Sequence, residues 1–408
     1  MPKLIDIAFT NPTRTLNKAI PSIYVGMEHL EPHQRFIQKW GVRRFPGSGS
    51  RFKNGDTLLA RITPCLENGK TAYVDFLSNH EEVAHGSTEF IILSARPDKC
   101  DELFLYYLAR SEFFRAYAIK NMLGTSGRQR VRAEALDEFD IPVIPSINEQ
   151  RELAKSLGAF DSKIQSNQET CILAETTLRK LWVDLTSKAG TTHVRLGEDL
   201  VDFNPNTPLS RIEPSAYVDM RNVPTHGSII RGFIPRVFKG GAKFRNGDTI
   251  VARITPCFEN GKAAFVDCLK DGEVGWGSTE FIILRAKIGI PNFAPYCIVR
   301  DPLFKEYGVR QMTGTSGRQR ISATSLSEYM TPIPSTHDLE YFDKKSNELT
   351  SLIARLGKEN VILAKLRDRL IYKAISASTQ LDSVNIAQVD SFLNIDTSNM
   401  QTSGALFK

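Results

Sequence analysis

The chain contains the same unit twice, and this duplication constrains its fold more than any other feature. Residues 51–95 read RFKNGDTLLARITPCLENGKTAYVDFLSNHEEVAHGSTEFIILSA, and residues 243–286 read KFRNGDTIVARITPCFENGKAAFVDCLKDGEVGWGSTEFIILRA. The heptapeptide GTSGRQR occurs at 124–130 and again, unchanged, at 314–320. The repeat of about 190 residues is far longer than the roughly 20–50 residues of a solenoid repeat. The chain is therefore predicted to contain two similar globular domains.

Positive charge is concentrated at matching places in the two copies. Residues 35–75 contain eight Lys or Arg against three acids, and residues 231–267 contain seven against three. Because the whole chain has a net charge of only +6, the rest of the sequence is slightly acidic. Clustered positive charge is typical of phosphate binding, and two similar domains suit a partner with near two-fold symmetry, such as duplex DNA. The alternative is a pair of ordinary basic surfaces.

Strand and turn signals come first in each copy and helical signals follow, which predicts an α+β domain. Asn54-Gly55-Asp56 precedes a predicted strand from Thr57 to Ile62, and Asn68-Gly69 is predicted to be a tight hairpin turn. The apolar residues 90–93 predict a strand buried on both faces. Residues 101–121 are predicted to be helical, whereas Asp301-Pro302 interrupts the matching segment, where two short helices are expected.

Each predicted domain is followed by a long amphipathic helix. Seam positions spaced alternately by three and four residues run from Leu153 to Leu185 and from Leu339 to Leu370. Asn167 and Asn360 lie within these seams, where a buried Asn fixes register at a cost in stability. A helix of roughly 40 residues is about 60 Å long. The two helices are expected to pair as an antiparallel coiled coil that joins the two domains, and separate zippers between copies of the chain are the alternative.

These patterns predict a domain at 1–145, a central helix at 146–190, a second domain at 191–334, a C-terminal helix at 335–375 and a flexible tail at 376–408. No run approaches the roughly 18 apolar residues of a membrane helix, and the first residues do not form a signal peptide. A cytoplasmic location and no membrane partner are therefore expected. The six cysteines lack CxxC spacing and are expected to be reduced packing residues rather than zinc ligands.

The GTSGRQR segment is the most specific candidate for DNA contact. Its glycines let the backbone approach a ligand closely, its hydroxyls suit phosphate oxygens, and its Arg and Gln side chains suit phosphates or base edges in the major groove. The RITPC strand end and the lysine after it add positive groups in both copies. A structural turn is the alternative for the loop, and solvated surface charge for the strand residues. The predicted DNA-binding residues are Arg61, Lys70, Thr125, Ser126, Arg128, Gln129 and Arg130, with Arg253, Lys262, Thr315, Ser316, Arg318, Gln319 and Arg320 in the second copy.

The sequence lacks the patterns that catalysis would need. It contains no Asp/Asn-Pro-Pro-Tyr/Phe string, no glycine-rich S-adenosylmethionine loop and no nucleotide-phosphate loop. Asp56, Glu67 and Lys70 could be assembled into a nuclease centre only with poor spacing. No histidine or tryptophan recurs at a matching position, which argues against a shared histidine site and a shared base-stacking platform. We therefore expect no catalytic residue and no bound metal.

The layout resembles the specificity subunit of type I restriction–modification systems over residues 1 to about 375. The resemblance rests on two domains that each precede a long helix, on the Pro145–Gln150 segment PSINEQ at the start of the first helix, and on the repeated GTSGRQR and NGD…RITP elements. The helix-start motif is weaker in the second copy, where Asp338-Leu339 replaces Glu-Gln.

This resemblance implies that each domain is a target recognition domain that reads one half of a split duplex DNA sequence. The helices would set the spacer and dock methyltransferase (M) subunits, two of them, together with restriction (R) subunits. S-adenosylmethionine, ATP and Mg²⁺ would then be bound by those partner subunits, and this non-catalytic chain would bind no cofactor. The likeness of the copies adds our own expectation of a near-palindromic target. A coiled-coil scaffold and a stand-alone restriction enzyme or methyltransferase are the alternatives.

Overall fold

The computed structural model describes residues 1–18, 20–125, 127–315 and 317–376, so all of the predicted tail except Ser376 lies outside the described residues. The chain divides into two compact units, the first formed by residues 1–164 with the segment from Val361, and the second by residues 165–360. Each unit combines four-stranded sheets with helices, which confirms the predicted mixed α+β architecture. None of the described helices is long and apolar enough to cross a membrane.

The first unit contains two four-stranded sheets, with strand orders β1-β8-β5-β6 and β3-β2-β7-β4. All pairings within them are antiparallel except β2 with β7. A two-stranded ladder joins β9 and β10. The strands are β1 Ala8–Thr10, β2 Pro21–Val25, β3 Gly41–Arg44, β4 Ser50–Phe52, β5 Thr57–Ala60, β6 Thr71–Tyr73, β7 Ala84–Gly86, β8 Phe90–Ala95, β9 Met122–Leu123 and β10 Arg130–Val131.

The second unit repeats this topology, with sheet orders β12-β19-β16-β17 and β14-β13-β18-β15. Its β13 and β18 form the parallel pair that corresponds to β2 and β7. One further ladder joins β11 and β20. The strands are β11 Thr192–Arg195, β12 Val201–Phe203, β13 Pro214–Val218, β14 Ile234–Val237, β15 Ala242–Phe244, β16 Thr249–Ala252, β17 Ala263–Phe265, β18 Gly275–Gly277, β19 Phe281–Ala286 and β20 Met330–Ile333.

Two local expectations about the β5–β6 connection are wrong. Strand β5 ends at Ala60 rather than Ile62, and the connection to β6 spans residues 61–70 instead of a tight turn at Asn68-Gly69. The reason is tertiary, because Ile62 leaves the sheet and forms a β-bridge with Arg130. The connection thus carries its residues towards the GTSGRQR segment.

The predicted helix over 101–121 is also wrong in one respect, since both copies are broken at the same place. In the first unit Ser111 separates the two helices, and its hydroxyl accepts a hydrogen bond from the Phe114 amide. In the second unit Asp301 caps the second helix through the Leu303 amide. A side chain that caps the start of the second helix therefore marks the break in both units, with or without a proline. The helices are α1 Leu4–Ile7, α2 Glu102–Arg110, α3 Glu112–Lys120 and α4 Ala133–Asp137, then α6 Ala294–Val299, α7 Pro302–Arg310 and α8 Ala323–Ser327.

The two long helices, α5 (Ile147–Thr186) and α9 (Thr336–Ser376), begin at polar caps. The Ser146 hydroxyl accepts from the Glu149 amide at 3.4 Å, and the Glu149 carboxylate accepts from the Ser146 amide at 2.8 Å. This reciprocal pair is a capping box, which satisfies amides that have no partner within the helix. At α9 the Ser335 hydroxyl accepts from the Asp338 amide at 3.2 Å.

Within the second unit the α5 and α9 segments run in opposite directions. Asn167 Nδ2 donates to Asn360 Oδ1 at 2.8 Å, and Lys188 binds Asp338 at 2.5 Å. Cys171 packs between these contacts in a cluster that includes Ile353. The two seam asparagines predicted to fix register therefore contact each other, with Asn167 buried.

Within the first unit the same two helices bury a polar cluster beside a hydrophobic core. Asp161 accepts a hydrogen bond from the Tyr107 hydroxyl at 2.7 Å and forms an ion pair with Arg367. The Ile371 side chain lies in the core that also contains Leu157. Ile371 is thus buried in place of the predicted Leu370, which is 38% exposed, and Ile375 in the same core follows it before the helix end.

Candidate nucleic-acid interface

The structure brings the two repeated motifs of each copy together. In the first unit the Thr63 amide donates to the Gln129 carbonyl at 3.0 Å, and the Val131 amide donates to the Arg61 carbonyl at 3.0 Å. The GTSGRQR segment is therefore held by backbone hydrogen bonds against the RITP strand end. The equivalent bonds of the second unit join Thr255 to Gln319 at 3.0 Å and Ile321 to Arg253 at 2.9 Å.

The GTSGRQR loop depends on its first glycine. Gly124 has φ +128° and Gly314 has φ +125°, a region that residues with a Cβ rarely adopt. A Cβ on Gly124 would also lie 3.1 Å from the Arg128 carbonyl oxygen. A turn follows in which the Arg128 amide donates to the Thr125 carbonyl at 3.0 Å. The loop presents exposed Thr125, Arg128 and, in the second unit, Thr315 and Arg318, whereas Ser126 and Ser316 lie outside the described residues.

The second arginine of the loop is held from within its own unit. Arg130 Nε and Nη2 donate to the Glu89 carboxylate at 2.9 and 2.7 Å, and Arg320 binds Glu280 in the same way at 3.0 and 2.7 Å. The hydrogen bond from Arg130 holds the pKa of the Glu89 carboxyl below its usual range. Bidentate pairs of this kind fix side-chain geometry. Arg130 and Arg320 therefore brace the loop, and their predicted contact with DNA stays a prediction.

The predicted lysines are half-buried and bound to backbone carbonyls. Lys70 Nζ donates to the Met27 carbonyl at 2.8 Å, and Lys262 Nζ donates to the Met220 carbonyl at 2.8 Å. Both bonds tie the strand connection to the segment that follows β2 or β13. The two lysines thus have a structural role, which a contact with DNA would have to compete with.

Arg61 and Arg253 differ from the other predicted cations because the buried Nε of each has no hydrogen-bond partner in the described structure. Both lie near the acid that binds the loop arginine, since Arg61 lowers the pKa of Glu89 through its charge. In the second unit Arg253 lines a cavity of about 440 Å³ together with Asn204, Asn206, Lys243 and Thr279. Lys243 and Arg253 give this recess positive charge, and the Arg253 carbonyl accepts from the amide of Ile321, the residue after the loop.

The acidic residues considered for a nuclease centre are bound elsewhere. Asp56 is buried and forms an ion pair with Arg14, and Glu67 accepts a hydrogen bond from the Thr63 hydroxyl at 2.9 Å. Among the described residues no group of three or more His, Cys, Asp or Glu side chains could hold a metal ion. The arrangement can bind phosphates or base edges through its arginines, and the described part offers no assembled acid cluster.

Two cations that the sequence analysis did not select are prominent on the surface. Arg43 lies on β3 and Arg236 on β14, which are exposed edge strands of the β3-β2-β7-β4 and β14-β13-β18-β15 sheets. Each precedes a phenylalanine by two residues, Phe45 or Phe238. This Arg-x-Phe spacing is the signal that could have identified them, because it recurs although the surrounding residues differ.

Comparisons with known proteins confirm the resemblance that the sequence predicted. Residues 48–174 match the family described as type I restriction modification DNA specificity domain. Over 155 residues the chain is 32% identical to the type I restriction enzyme EcoAI specificity subunit of Escherichia coli, and over 154 residues it is 29% identical to the EcoEI specificity subunit of the same organism. Each match covers 38% of this chain and 26% or 25% of the relative. The match thus spans about a quarter of the length of these curated relatives.

A solved structure shows likeness of fold along most of the chain. It is the type I restriction–modification system S subunit from M. genitalium, which covers 91% of this chain and 95% of its own length. The TM-score is 0.50 and the sequence identity 17%. At that identity the comparison supports the fold and carries no residue-level role.

Proposed function

Because residues 48–174 match the type I restriction modification DNA specificity domain family, we propose that the chain is a non-catalytic subunit that directs a DNA methylation and restriction complex to its target. The observation that carries the proposal is the identical loop in both units, with its first arginine exposed and its second fixed on a glutamate. The loop presents the exposed Arg128 or Arg318 to a ligand. A guanidinium at such a site suits the bidentate acceptors of guanine or phosphate.

The repeat supports a split, near-palindromic target. Both units use the same loop sequence and the same bracing pair, so each is expected to recognise a similar half-site. The α5 and α9 helices would pair as an antiparallel coiled coil and set the spacer between half-sites, since roughly 40 residues of helix span about 60 Å. Methyltransferase and restriction subunits would dock on this chain and supply S-adenosylmethionine, ATP and Mg²⁺ chemistry.

Co-purification followed by methylation mapping tests the function. The full chain is expressed with the methyltransferase subunits encoded beside it, and methylated adenines are mapped across the host genome. Methylation at one interrupted sequence with similar halves is expected. Methylation without a shared sequence would refute the recognition role, and two unrelated halves would refute only the near-palindromic target.

Replacing Arg128 and Arg318 together by Ala tests the loop. Each lost bidentate base contact is expected to weaken specific binding by roughly 1–3 kcal/mol. Binding of labelled target and scrambled duplexes to the full chain is measured over a range of salt concentrations. If target preference survives and only the salt slope falls, the two arginines bind phosphate. Unchanged binding would exclude them from the interface.

A further inference from the structure

The β3-β2-β7-β4 sheet of the first unit and the β14-β13-β18-β15 sheet of the second bury one face in a hydrophobic core and carry a row of cations and rings on the other. The central ring of each row, His85 or Trp276, is itself buried. In the first unit Val25, Phe52 and Ala84 lie in the hydrophobic core. Because side chains alternate along a strand, their neighbours Tyr24, Arg51 and His85 lie on the opposite face. The strand register places Tyr24 and Arg51 on either side of His85.

These side chains continue into a chain of cation and ring contacts, which we call the outer row. The Arg43 guanidinium carbon lies 4.0 Å from the centre of the Tyr24 ring. The Tyr24 and His85 rings are 5.2 Å apart, and His85 and Phe45 are 5.4 Å apart. Arg51 lies 5.8 Å from the Phe45 ring. The row therefore has a cation at each end and three rings between them.

The second unit has the same outer row with one aromatic residue changed. The Arg236 guanidinium carbon lies 4.6 Å from the Tyr217 ring, and Lys243 Nζ lies 5.8 Å from the Phe238 ring. Trp276 lies between them, with its ring centre 4.5 Å from Tyr217 and 5.4 Å from Phe238. Both units thus have a cation at each end of the row and three rings between the cations, although other residues of the sheet differ.

Trp276 occupies the position of His85, since both pair with the tyrosine of the parallel neighbouring strand. Because one residue is a histidine and the other a tryptophan, matching identical residues between the two copies does not reveal that an aromatic ring recurs at this position. Trp276 Nε1 donates to the Arg236 carbonyl at 3.2 Å and so fixes the edge strand that carries this arginine. In both units the ring at this position contacts the tyrosine ring over which the arginine lies.

Arg43 and Arg236 are the cations of the outer row that are available to a ligand. Both are exposed, and neither forms an ion pair or a side-chain hydrogen bond with another described residue. Their contact with a tyrosine ring holds the planar guanidinium in place and lowers the entropy lost when it binds. Lys70 and Arg130, by contrast, already donate to groups of their own unit.

In the second unit backbone and side-chain contacts link the recess beside the outer row to the GTSGRQR loop. Lys243, at one end of the row, lines the cavity that Arg253 also lines. The Arg253 amide donates to the Glu280 carbonyl at 2.9 Å, and the Glu280 carboxylate binds Arg320 of the loop. Glu280 therefore connects Arg253 of the recess with Arg320 of the loop.

Resting on the proposed function, we propose that Arg43 and Arg236 contact the target DNA and form, with the outer row beneath them, a second recognition element besides the loop. Each guanidinium lies over a tyrosine ring and is available to a bidentate acceptor. Guanine O6 and N7 and two phosphate oxygens share this chemistry. The edge strand thus extends the DNA-contacting surface of each unit beyond the loop.

The test compares Arg43→Lys/Arg236→Lys with Arg43→Ala/Arg236→Ala in the full chain. Lysine keeps the charge and removes the planar fork, and alanine removes both. Lys345→Ala is the control, because Lys345 is an exposed cation on α9 outside the outer row. The probes are labelled duplexes containing the methylation-mapped target or a scrambled sequence, bound at several salt concentrations. Circular dichroism confirms that each variant is folded.

We expect the alanine variant to bind the target at least about tenfold more weakly than wild type, with the control unchanged, because two bidentate contacts are lost. Loss of target preference in the lysine variant as well would assign the contacts to bases. Preserved preference in the lysine variant, with a smaller salt slope in the alanine variant, would assign them to phosphates. Wild-type affinity of the alanine variant, in a protein that still prefers its target, would overturn this inference and leave the proposed function standing. A wild-type chain without any preference would overturn both.

Discussion

Replacing Arg14 by Thr should destabilise the first unit, and adding Ser94→Arg to that variant should restore most of the loss. Each unit buries an aspartate at the equivalent position, Asp56 or Asp248, and each is only 1% exposed. Arg14, from the segment after β1, binds Asp56 with both terminal nitrogens. Arg285, from β19, binds Asp248 through Nε and Nη2, each at 2.7 Å.

The arginine that binds the buried aspartate comes from different segments in the two units, and in each unit the other of these two positions is a serine or threonine. Ser94 is the equivalent of Arg285, and Thr207 is the equivalent of Arg14. Arg14 Nη2 donates to Ser94 Oγ at 3.3 Å, and Arg285 Nη2 donates to Thr207 Oγ1 at 3.3 Å. The fold therefore requires one guanidinium at the buried carboxylate and accepts it from either side.

The expected magnitude follows from the burial of the pair. Removing one partner of a buried ion pair costs about 3–5 kcal/mol, because an uncompensated charge remains. For a unit of this size the melting temperature falls by about 2–4 °C per kcal/mol, so a decrease of about 6–20 °C is expected. Burial already raises the pKa of Asp56, and Arg14 opposes that rise. The loss should therefore be largest at neutral pH and shrink in acid, where the carboxyl takes up a proton.

Thermal and urea unfolding of wild type, Arg14→Thr, Ser94→Arg and the double variant measure these effects. The second unit carries no change and serves as an internal reference if the two units unfold in separate transitions. The double variant should recover to within about 1 kcal/mol of wild type, since it copies a geometry that the second unit already uses. A double variant no more stable than Arg14→Thr would refute the argument.

Two further predictions compare equivalent positions in the two copies. Burial raises the pKa of the Asp267 carboxyl from 3.8 to about 6, so ionisation of this group lowers the free energy of unfolding as pH rises through this interval. Asp267→Asn should therefore stabilise the second unit at pH 7 by up to about 3 kcal/mol. Asp75→Asn should stabilise the first unit less, because the Arg35 guanidinium 3.0 Å away already offsets the cost of burying Asp75. Urea unfolding at pH 3.5 and 7 checks this, and an equal effect at both pH values would contradict it. Ser22→Ala should lower the free energy of unfolding by about 1–3 kcal/mol, because the Ser22 hydroxyl lies 3.0 Å from His85 Nδ1. Ser215→Ala should leave the free energy of unfolding unchanged, because the buried Ser215 hydroxyl has no partner among the described residues. Equal melting temperatures for the two serine variants would count against the assigned bonds.

Local and periodic features could be predicted from the sequence. The heptad seams predicted both long helices and one register-fixing Asn in each, because helical periodicity depends on neighbours three and four residues away. The contact of Asn167 with Asn360 comes from the tertiary structure. The break at Ser111 was missed, since a serine cap depends on the backbone around it and lacks the plain signal of a proline. Register at the end of the seam, where Ile371 replaces Leu370, depends on the core that the helix meets.

Part of the candidate site could be predicted from the sequence, and part depended on the tertiary structure. Sequence alone determined that two copies of one basic unit exist and that GTSGRQR is shared, because identity between copies is visible without a structure. Only the tertiary structure decided which cations are free. Arg130 is held by Glu89, which lies 41 residues earlier, and Lys70 by the Met27 carbonyl, 43 residues earlier. Such partners meet through strand pairing across long stretches of chain, and strand pairing also places His85 and Trp276 at one equivalent position, which residue identity conceals.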